Sequence, residues 1–159
     1  KGITNGVIPM GAVFASRKVH DALMTGPENQ IELFHGYTYS AHPVACAAGL
    51  ATLAIYQSEG LLTQGAALTA HWQEAMHGLR GLPDVIDIRA IGLVAGIELS
   101  PRAGAAGTRA YDIMVDCFNH GLMVRVTGDT IALSPPLIVT PEQIGEMTAI
   151  VAAAIKRAA

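Results

Sequence analysis

Two spacings of apolar residues divide the chain into predicted helices and strands. Apolar residues that recur every three or four positions are typical of a helix with one buried face, whereas short continuous or alternating apolar runs are typical of strands. The helical spacing predicts helices over 19–24, 40–57, 61–80, 108–120 and from Thr140 onward. The other runs predict strands over 7–15, 85–89, 93–99, 122–126 and 130–134. This order of elements indicates an α/β or α+β protein.

Residues at the ends of these segments support several of the boundaries. Ser40 and Thr108 are predicted N-caps, because their hydroxyls can accept from free backbone N–H groups of the first helical turn. Gly121 is a predicted C-terminal helix stop, and Gly128 lies in a predicted hairpin turn. Thr140, followed by proline, is typical of a helix start. The second half is therefore expected to be compact, whereas the first 40 residues cannot bury their own apolar faces.

The composition narrows the classes of function. The 159 residues include 10 Lys and Arg against 13 Asp and Glu, a net charge of −3, which argues against a nucleic-acid-binding protein. Hydrophobic residues make up 51% of the chain, too many for a disordered one. Charged residues make up 14%, below the roughly 25% of typical domains. We therefore expect another domain or subunit to cover part of the surface.

Cysteine, histidine and the apolar runs give further expectations. Cys46 and Cys117 each lie in a predicted helix, which is typical of reduced, buried thiols and predicts a cytoplasmic protein. The apolar run 44–56 is too short to span a membrane, and residues 1–15 lack the features of a secretion signal. The six histidines show no metal-binding spacing, so no metal site is expected.

Hydroxyl groups precede the helix predicted at 40–57. Tyr37, Thr38, Tyr39 and Ser40 lie where free N–H groups and the helix dipole favour an anion. The Thr38 hydroxyl could donate to a phosphate oxygen there. The alternative is that these hydroxyls only cap the helix and close a loop.

Arg125 interrupts an apolar strand. A buried arginine is rare unless it is paired, and a guanidinium binds a carboxylate through two parallel hydrogen bonds. The strand setting therefore makes Arg125 a candidate carboxylate-binding residue. The alternative is an edge-strand arginine that points into solvent. Arg89 poses the same question, and the solvent interpretation is stronger for it.

Four segments, taken in order, resemble the motifs of one known family. Residues 1–13, which begin Lys1-Gly2-Ile3-Thr4-Asn5-Gly6, resemble the lysine motif of class III (omega) aminotransferases, which use pyridoxal phosphate (PLP). Residues 35–43 resemble the next motif, 88–99 resemble its Arg-x-x-Gly-Leu stretch, and 121–129 resemble its hairpin. The resemblance covers essentially the whole chain. The omega-amino acid–pyruvate (beta-alanine–pyruvate type) aminotransferases are the most similar branch.

The resemblance implies a fold and an activity. The fold would be α/β, the C-terminal part of a PLP-dependent transferase of fold type I. Residues 1–40 would end the large PLP-binding domain, and 41–159 would form interdomain helices and the α+β small domain. The activity would be transfer of an amino group from an omega-amino acid or amine to pyruvate. The enzyme would be at least a homodimer, with no nucleic-acid or membrane partner.

The resemblance also implies roles for three residues. Lys1, which its position alone leaves uninformative, would form the Schiff base with PLP and act as the general acid and base. Thr38 would bind the PLP phosphate of a partner subunit across the dimer interface, and Arg125 would hold the substrate carboxylate. The family's phosphate loop, ring-stacking aromatic residue and pyridine-pairing aspartate would all precede Lys1. The 159 residues alone are therefore expected to be inactive.

Ala132 departs from the pattern of the beta-alanine–pyruvate branch. That branch has a substrate-binding glutamine seven residues after the arginine, and here the position holds alanine. Beta-alanine, other omega-amino acids and bulkier amines therefore all stay open as donors. Two other functions also stay open: an aminomutase or racemase of the same family, which needs no pyruvate, and a truncated, non-catalytic domain.

Overall fold

A computed structural model describes residues 1–29, 33 and 35–159 of the chain. They divide into two compact units, Lys1–Glu59 and Gly60–Ala159. The assignment of 1–40 to a large domain and 41–159 to the remainder stays a prediction.

The first unit contains two helices and no strand among its described residues. Helix α1 spans Arg17–Leu23 and helix α2 spans Pro43–Ser58. The strand predicted over 7–15 was wrong, because these residues have no regular secondary structure. Val13 and Phe14 are 96% and 94% exposed. A strand needs a neighbouring strand to satisfy its backbone groups, and the described part of this unit offers none.

Helix α2 begins later than its sequence indicates. The predicted N-cap at Ser40 was wrong, since the structural N-cap is His42 and Pro43 occupies the first turn. The Ser40 hydroxyl instead accepts from the Tyr37 N–H at 3.3 Å. Ala41 has a φ of 58°, a left-handed conformation that separates this turn from the helix.

The second unit is built on a four-stranded antiparallel sheet. Its strands, in the spatial order β1-β2-β4-β3, are β1 (Val85–Ile91), β2 (Val94–Leu99), β3 (Arg125–Thr127) and β4 (Thr130–Leu133). Four helices accompany it: α3 (Leu61–Ala67), α4 (Thr69–His77), α5 (Thr108–Asn119) and α6 (Pro141–Arg157). Strand β3 begins at Arg125, three residues later than the predicted strand 122–126.

The single helix predicted over 61–80 is divided in two and ends at His77. The division falls at Leu68, which closes α3 and opens α4. The Thr69 hydroxyl donates to the Gly65 carbonyl at 3.4 Å, a local bond that competes with regular helix geometry. Glycine at position 65 weakens the same turn. The apolar spacing continues through the break, which is why it was not predicted.

The core of this unit lies between the inner face of the sheet and helices α4, α5 and α6. Ile88, Ile97 and Ile131 are paired in one row across β1, β2 and β4, and all three are buried. Other fully buried side chains come from the helices, among them Trp72, Met76, Ile113, Ile144, Val151 and Cys117. Burial raises the pKa of the Cys117 thiol to about 11, so this cysteine is protonated at neutral pH. Cys46 and Cys117 are both free, but Cys46 is only partly buried, so the prediction of a buried thiol was wrong for Cys46.

Several helix and turn signals are confirmed. Thr140 and Gln143 form a reciprocal capping box at the start of α6. Gly121, just after α5, has a φ of 85°, and Gly128 in the β3–β4 turn has a φ of 55°; glycine adopts these left-handed values without strain.

The predicted N-cap at Thr108 was wrong, because Gly107 takes that position and the Thr108 hydroxyl donates to the Ala105 carbonyl.

Neither a membrane-spanning helix nor a metal-binding cluster is found among the described residues. No helix in the described part of the chain combines the length and the apolar character needed to cross a bilayer. Within residues 1–29, 33 and 35–159, no group of three or more His, Cys, Asp and Glu side chains could hold a metal ion.

Candidate active site

Lys1 begins a compact turn that is held by main-chain atoms. The Lys1 carbonyl accepts from the N–H groups of Thr4 and Gly6, each at 3.2 Å. The Thr4 hydroxyl, on a residue only 2% exposed, donates to the Ile8 carbonyl at 2.7 Å. Gly6 has a φ of 76°, which the close turn requires. The Lys1 side chain itself is exposed, and its amine has no partner among the described residues.

Helix α2 packs against this turn within the first unit. The Tyr56 hydroxyl donates to the Gly2 carbonyl at 2.7 Å. A Cβ atom on Gly49 would lie 3.3 Å from the Met10 Sδ and 3.7 Å from the Ile3 side chain. Gly49 therefore allows α2 to pack closely against the turn. The turn that begins at Lys1 is thus packed against α2.

Thr38 lies in a turn before α2. The Ser40 N–H donates to the Tyr37 carbonyl at 3.0 Å and the His42 N–H to the Tyr39 carbonyl at 3.2 Å. The Thr38 side chain is exposed, and the described residues give its hydroxyl no partner. No side chain among the described residues caps the start of α2. The buried Nδ1 of His42, the N-cap residue, also has no hydrogen-bond partner among them.

This donor set has the chemistry that PLP requires. An amine free of ion pairs can react with an aldehyde. A free hydroxyl beside an uncapped helix start can donate to a phosphate. Lys1 and Thr38 meet these two conditions, so the residues present fit the group.

Arg125 lies on the second unit, at the edge of the sheet. The register pairs Arg89 with Gly96, Gly96 with Ala132, and Ala132 with Arg125. Paired residues point to the same face of a sheet, so these four side-chain positions form one row on the face opposite the core. The row places two small residues between two arginines.

The two arginines of this row differ in their partners. Arg89 is bound to Asp87 at 2.5 Å and to Glu98 at 2.6 Å. Those two carboxylates raise the pKa of the Arg89 guanidinium, through their hydrogen bonds first and their charges second. Arg125 is exposed and has no ion-pair partner among the described residues. Its apolar strand suggested burial, but β3 is an edge strand, which is the alternative weighed from the sequence.

A cavity of about 780 Å³ opens beside Arg125. Ala132, the cross-strand neighbour of Arg125, also lines it, together with apolar side chains that include Val94, Met123 and Pro135. Gln143 and Glu146 line the cavity as well, and Arg125 is the cation among its lining residues. A cation at the margin of a mostly apolar cavity suits a ligand with a carboxylate and an apolar body.

Asp129 is a polar residue whose contact the sequence did not predict. It was placed in the hairpin turn, but its carboxylate also accepts from the Gly107 N–H at the start of α5, at 2.7 Å. An aspartate after a glycine in a hairpin turn is common, so the pattern gave no sign of the distant partner.

Comparison with known proteins decides the family. The model of the family described as aminotransferase class-III matches residues 1–155. The chain belongs to the class-III aminotransferases. Members of this family are PLP-dependent enzymes. The predicted family is thereby confirmed.

Curated members of the family show the same relationship. The chain is 56% identical over 147 residues to an omega-aminotransferase of Caulobacter vibrioides, covering 92% of this chain and 34% of the relative. It is 44% identical over 149 residues to a beta-alanine–pyruvate aminotransferase of Pseudomonas aeruginosa, covering 92% and 33%. The chain thus spans about a third of the length of these class-III aminotransferases.

Solved structures confirm the predicted α/β fold class. An amine transaminase from an uncultivated Pseudomonas species, in the PLP-bound form, superimposes with a TM-score of 0.87 at 34% identity. The superposition covers 99% of this chain and 37% of that one. The roles of Lys1, Thr38 and Arg125 in this family member stay predictions.

Proposed function

We propose that the protein of which this chain is a part transfers an amino group from an omega-amino acid or amine to pyruvate, with PLP as cofactor. Membership of the class-III aminotransferases and the names of its omega-aminotransferase and beta-alanine–pyruvate relatives support the reaction. The structural observation that favours it most is the unpaired Arg125 beside an apolar cavity. Such a site selects a carboxylate attached to an apolar body.

The three predicted residues have different roles. PLP, when bound, supplies the electron sink for the amino-group chemistry. Lys1 anchors it covalently and moves protons at its Nζ, a role open to an amine that is not held in an ion pair. Thr38 donates its hydroxyl proton to a phosphate oxygen, and Arg125 orients the substrate through its carboxylate.

The choice of donor depends on the Arg125–Ala132 pair. Ala132 offers no side-chain hydrogen bond where the beta-alanine–pyruvate branch has glutamine, and it leaves space in the cavity. Beta-alanine, other omega-amino acids and bulkier amines are all included in the proposal. A cytoplasmic location is part of it on the basis of the free cysteines.

Replacing Arg125 with alanine in the full-length enzyme should lower kcat/KM selectively for donors that bear a carboxylate. Hydrogen bonds to charged groups contribute about 1.5–3 kcal/mol, so the loss should be about 10- to 100-fold. Single-turnover rates of the donor half-reaction should be compared for beta-alanine and for 1-phenylethylamine, which has no carboxylate. Arg125→Lys should lower kcat/KM for donors that bear a carboxylate less than Arg125→Ala does.

Arg89 provides the matched control for Arg125. It lies in the same row of the sheet, but two carboxylates already occupy its guanidinium. Arg89→Ala should leave the ratio of the two donors unchanged. An equal loss for both donors in Arg125→Ala would count against carboxylate binding by Arg125.

Thr38 is proposed to serve the site of the partner subunit in a homodimer. Thr38→Ala should weaken PLP binding about tenfold, because one hydrogen bond to a charged phosphate is lost, and Thr38→Ser should restore it. Mixed dimers of Thr38→Ala and Lys1→Ala subunits distinguish the two geometries. If Thr38 acts on the partner, each mixed dimer has one intact site with normal PLP affinity. If every remaining site binds PLP as weakly as the Thr38→Ala homodimer, the assignment across the interface is wrong.

A further inference from the structure

Asp129 joins three elements of the second unit. Its Oδ2 accepts from the Gly107 N–H at 2.7 Å, which ties the β3–β4 turn to the start of α5. Its main-chain carbonyl accepts from the Leu99 N–H at 2.9 Å, which ties the same turn to the end of β2. The turn is therefore fixed by a side-chain contact as well as by the strand pairing.

The start of α5 has no side-chain cap from its own N-cap residue. Its N-cap is Gly107, with a φ of 83°, and its first turn holds no acidic residue. A carboxylate at a helix N-terminus is favoured by the free N–H groups and by the dipole. Asp129 supplies that carboxylate from another element. Its second oxygen, Oδ1, is buried and has no partner in the described part of the chain, so Gly107 is the group that holds the side chain.

The strand that carries Arg125 is short and lies at the edge of the sheet, where Val126 packs against the core and the strand contacts α5. Strand β3 has three residues and pairs only with β4, through Arg125–Ala132, Val126–Ile131 and Thr127–Thr130. No ion pair within the described residues restrains the Arg125 side chain. The turn anchored by Asp129 follows β3 directly, so movement of this turn displaces the backbone from which Arg125 extends.

We propose that Asp129 is a positioning residue for substrate recognition: by binding the Gly107 N–H it fixes the β3–β4 turn on α5 and so holds Arg125 where a substrate carboxylate is bound. This inference rests on the proposed role of Arg125. It assigns Asp129 an indirect effect, on the affinity for the carboxylate group and not on the chemical step.

The test uses the full-length enzyme and propanoate, an unreactive carboxylate, as the probe. Its dissociation constant is measured by calorimetry for the unmodified enzyme, Asp129→Ala, Asp129→Asn, Arg125→Ala and the double variant Asp129→Ala/Arg125→Ala. Asp129→Ala should bind propanoate about tenfold more weakly, since small displacements of a binding group are costly. Asp129→Asn keeps an oxygen acceptor for Gly107 and should restore most of the affinity.

The double variant separates positioning from general damage. If Asp129 acts through Arg125, adding Asp129→Ala to Arg125→Ala should weaken propanoate binding no further. The single-turnover rate with 1-phenylethylamine should also stay unchanged in Asp129→Ala. If Asp129→Ala fails to fold, Asp129→Glu replaces it, since glutamate keeps the charge but alters the reach of the side chain. Asp129→Glu should weaken propanoate binding by less than Asp129→Ala and should leave the rate with 1-phenylethylamine unchanged.

Three results would overturn the inference, and they can be distinguished from one another. If Arg125→Ala weakens propanoate binding and Asp129→Ala does not, or if the effects of the two substitutions simply add, Asp129 does not position Arg125. If Arg125→Ala itself leaves propanoate binding unchanged, the proposed role of Arg125 is wrong, and the positioning role falls with it.

Discussion

Lys1→Ala in the full-length protein is expected to lower the rate of amino transfer at least about a thousandfold, because general acid–base catalysis by one group contributes up to about 10⁴ and the covalent anchor is lost as well. The measurement is alanine formation from pyruvate with a saturating donor. The matched control is Lys18→Ala, since Lys18 is an exposed lysine in α1 with no proposed role. That control should keep normal activity.

The structure allows this loss to be assigned to chemistry and not to unfolding. The contacts of Lys1 within its turn come from its carbonyl oxygen, which accepts from Thr4 and Gly6, and alanine retains that atom. The melting temperature of Lys1→Ala without cofactor should therefore match that of the unmodified apo-protein. A variant that kept more than about a tenth of the activity would show that another group does the work of Lys1.

The second large effect concerns the sheet that supports Arg125. Ile97→Ala is expected to destabilise the protein by about 2–5 kcal/mol, the range for deleting a large aliphatic side chain from a core. Ile97 is 0% exposed in the central strand β2, between Ile88 and Ile131. Urea unfolding of the full-length protein, followed through the second unit by hydrogen exchange, measures the change.

Ile91 is the matched control for Ile97. It is an isoleucine of the edge strand β1 and is 78% exposed, so its truncation should change the free energy of unfolding by no more than about 0.5 kcal/mol. Equal effects at the two positions would contradict the packing described for the sheet.

Elements set by local signals could be predicted from the sequence. The start of α6 needs only a cap residue, Thr140, followed by proline, and the turn at Gly128 needs only a glycine that adopts positive φ. The pairs of strands on either side of Gly92 and Gly128 follow from short, apolar runs joined by turns. Such features depend only on a few neighbouring residues, so they can be predicted without the rest of the structure.

Features that depend on distant partners could not be predicted in this way. Residues 7–15 are as apolar as a strand, but the described part of their unit provides no strand to pair with. The Asp129–Gly107 contact joins residues 22 positions apart, and neither residue is unusual in its own turn. The exposure of Arg125 likewise depends on β3 being at the edge, which only the strand order shows.

In the candidate site, too, some features could be predicted from the sequence and others required the structure. Motif resemblance was enough to select Lys1, Thr38 and Arg125, because each lies in a run that matches the family. The pairing of Arg125 with Ala132 required the register of the sheet. The low charged fraction predicted covered surface, and α2 exposes Val44 and Leu50 at 60% and 70%; what covers them stays a prediction.

The assignment of Lys1 as the residue that anchors PLP can be tested directly by chemical trapping. The full-length holoenzyme is reduced with borohydride, digested and mapped by mass spectrometry. We expect one pyridoxyl group, on the side chain of Lys1. An unmodified Lys1 peptide, with the pyridoxyl group on another lysine, would contradict it.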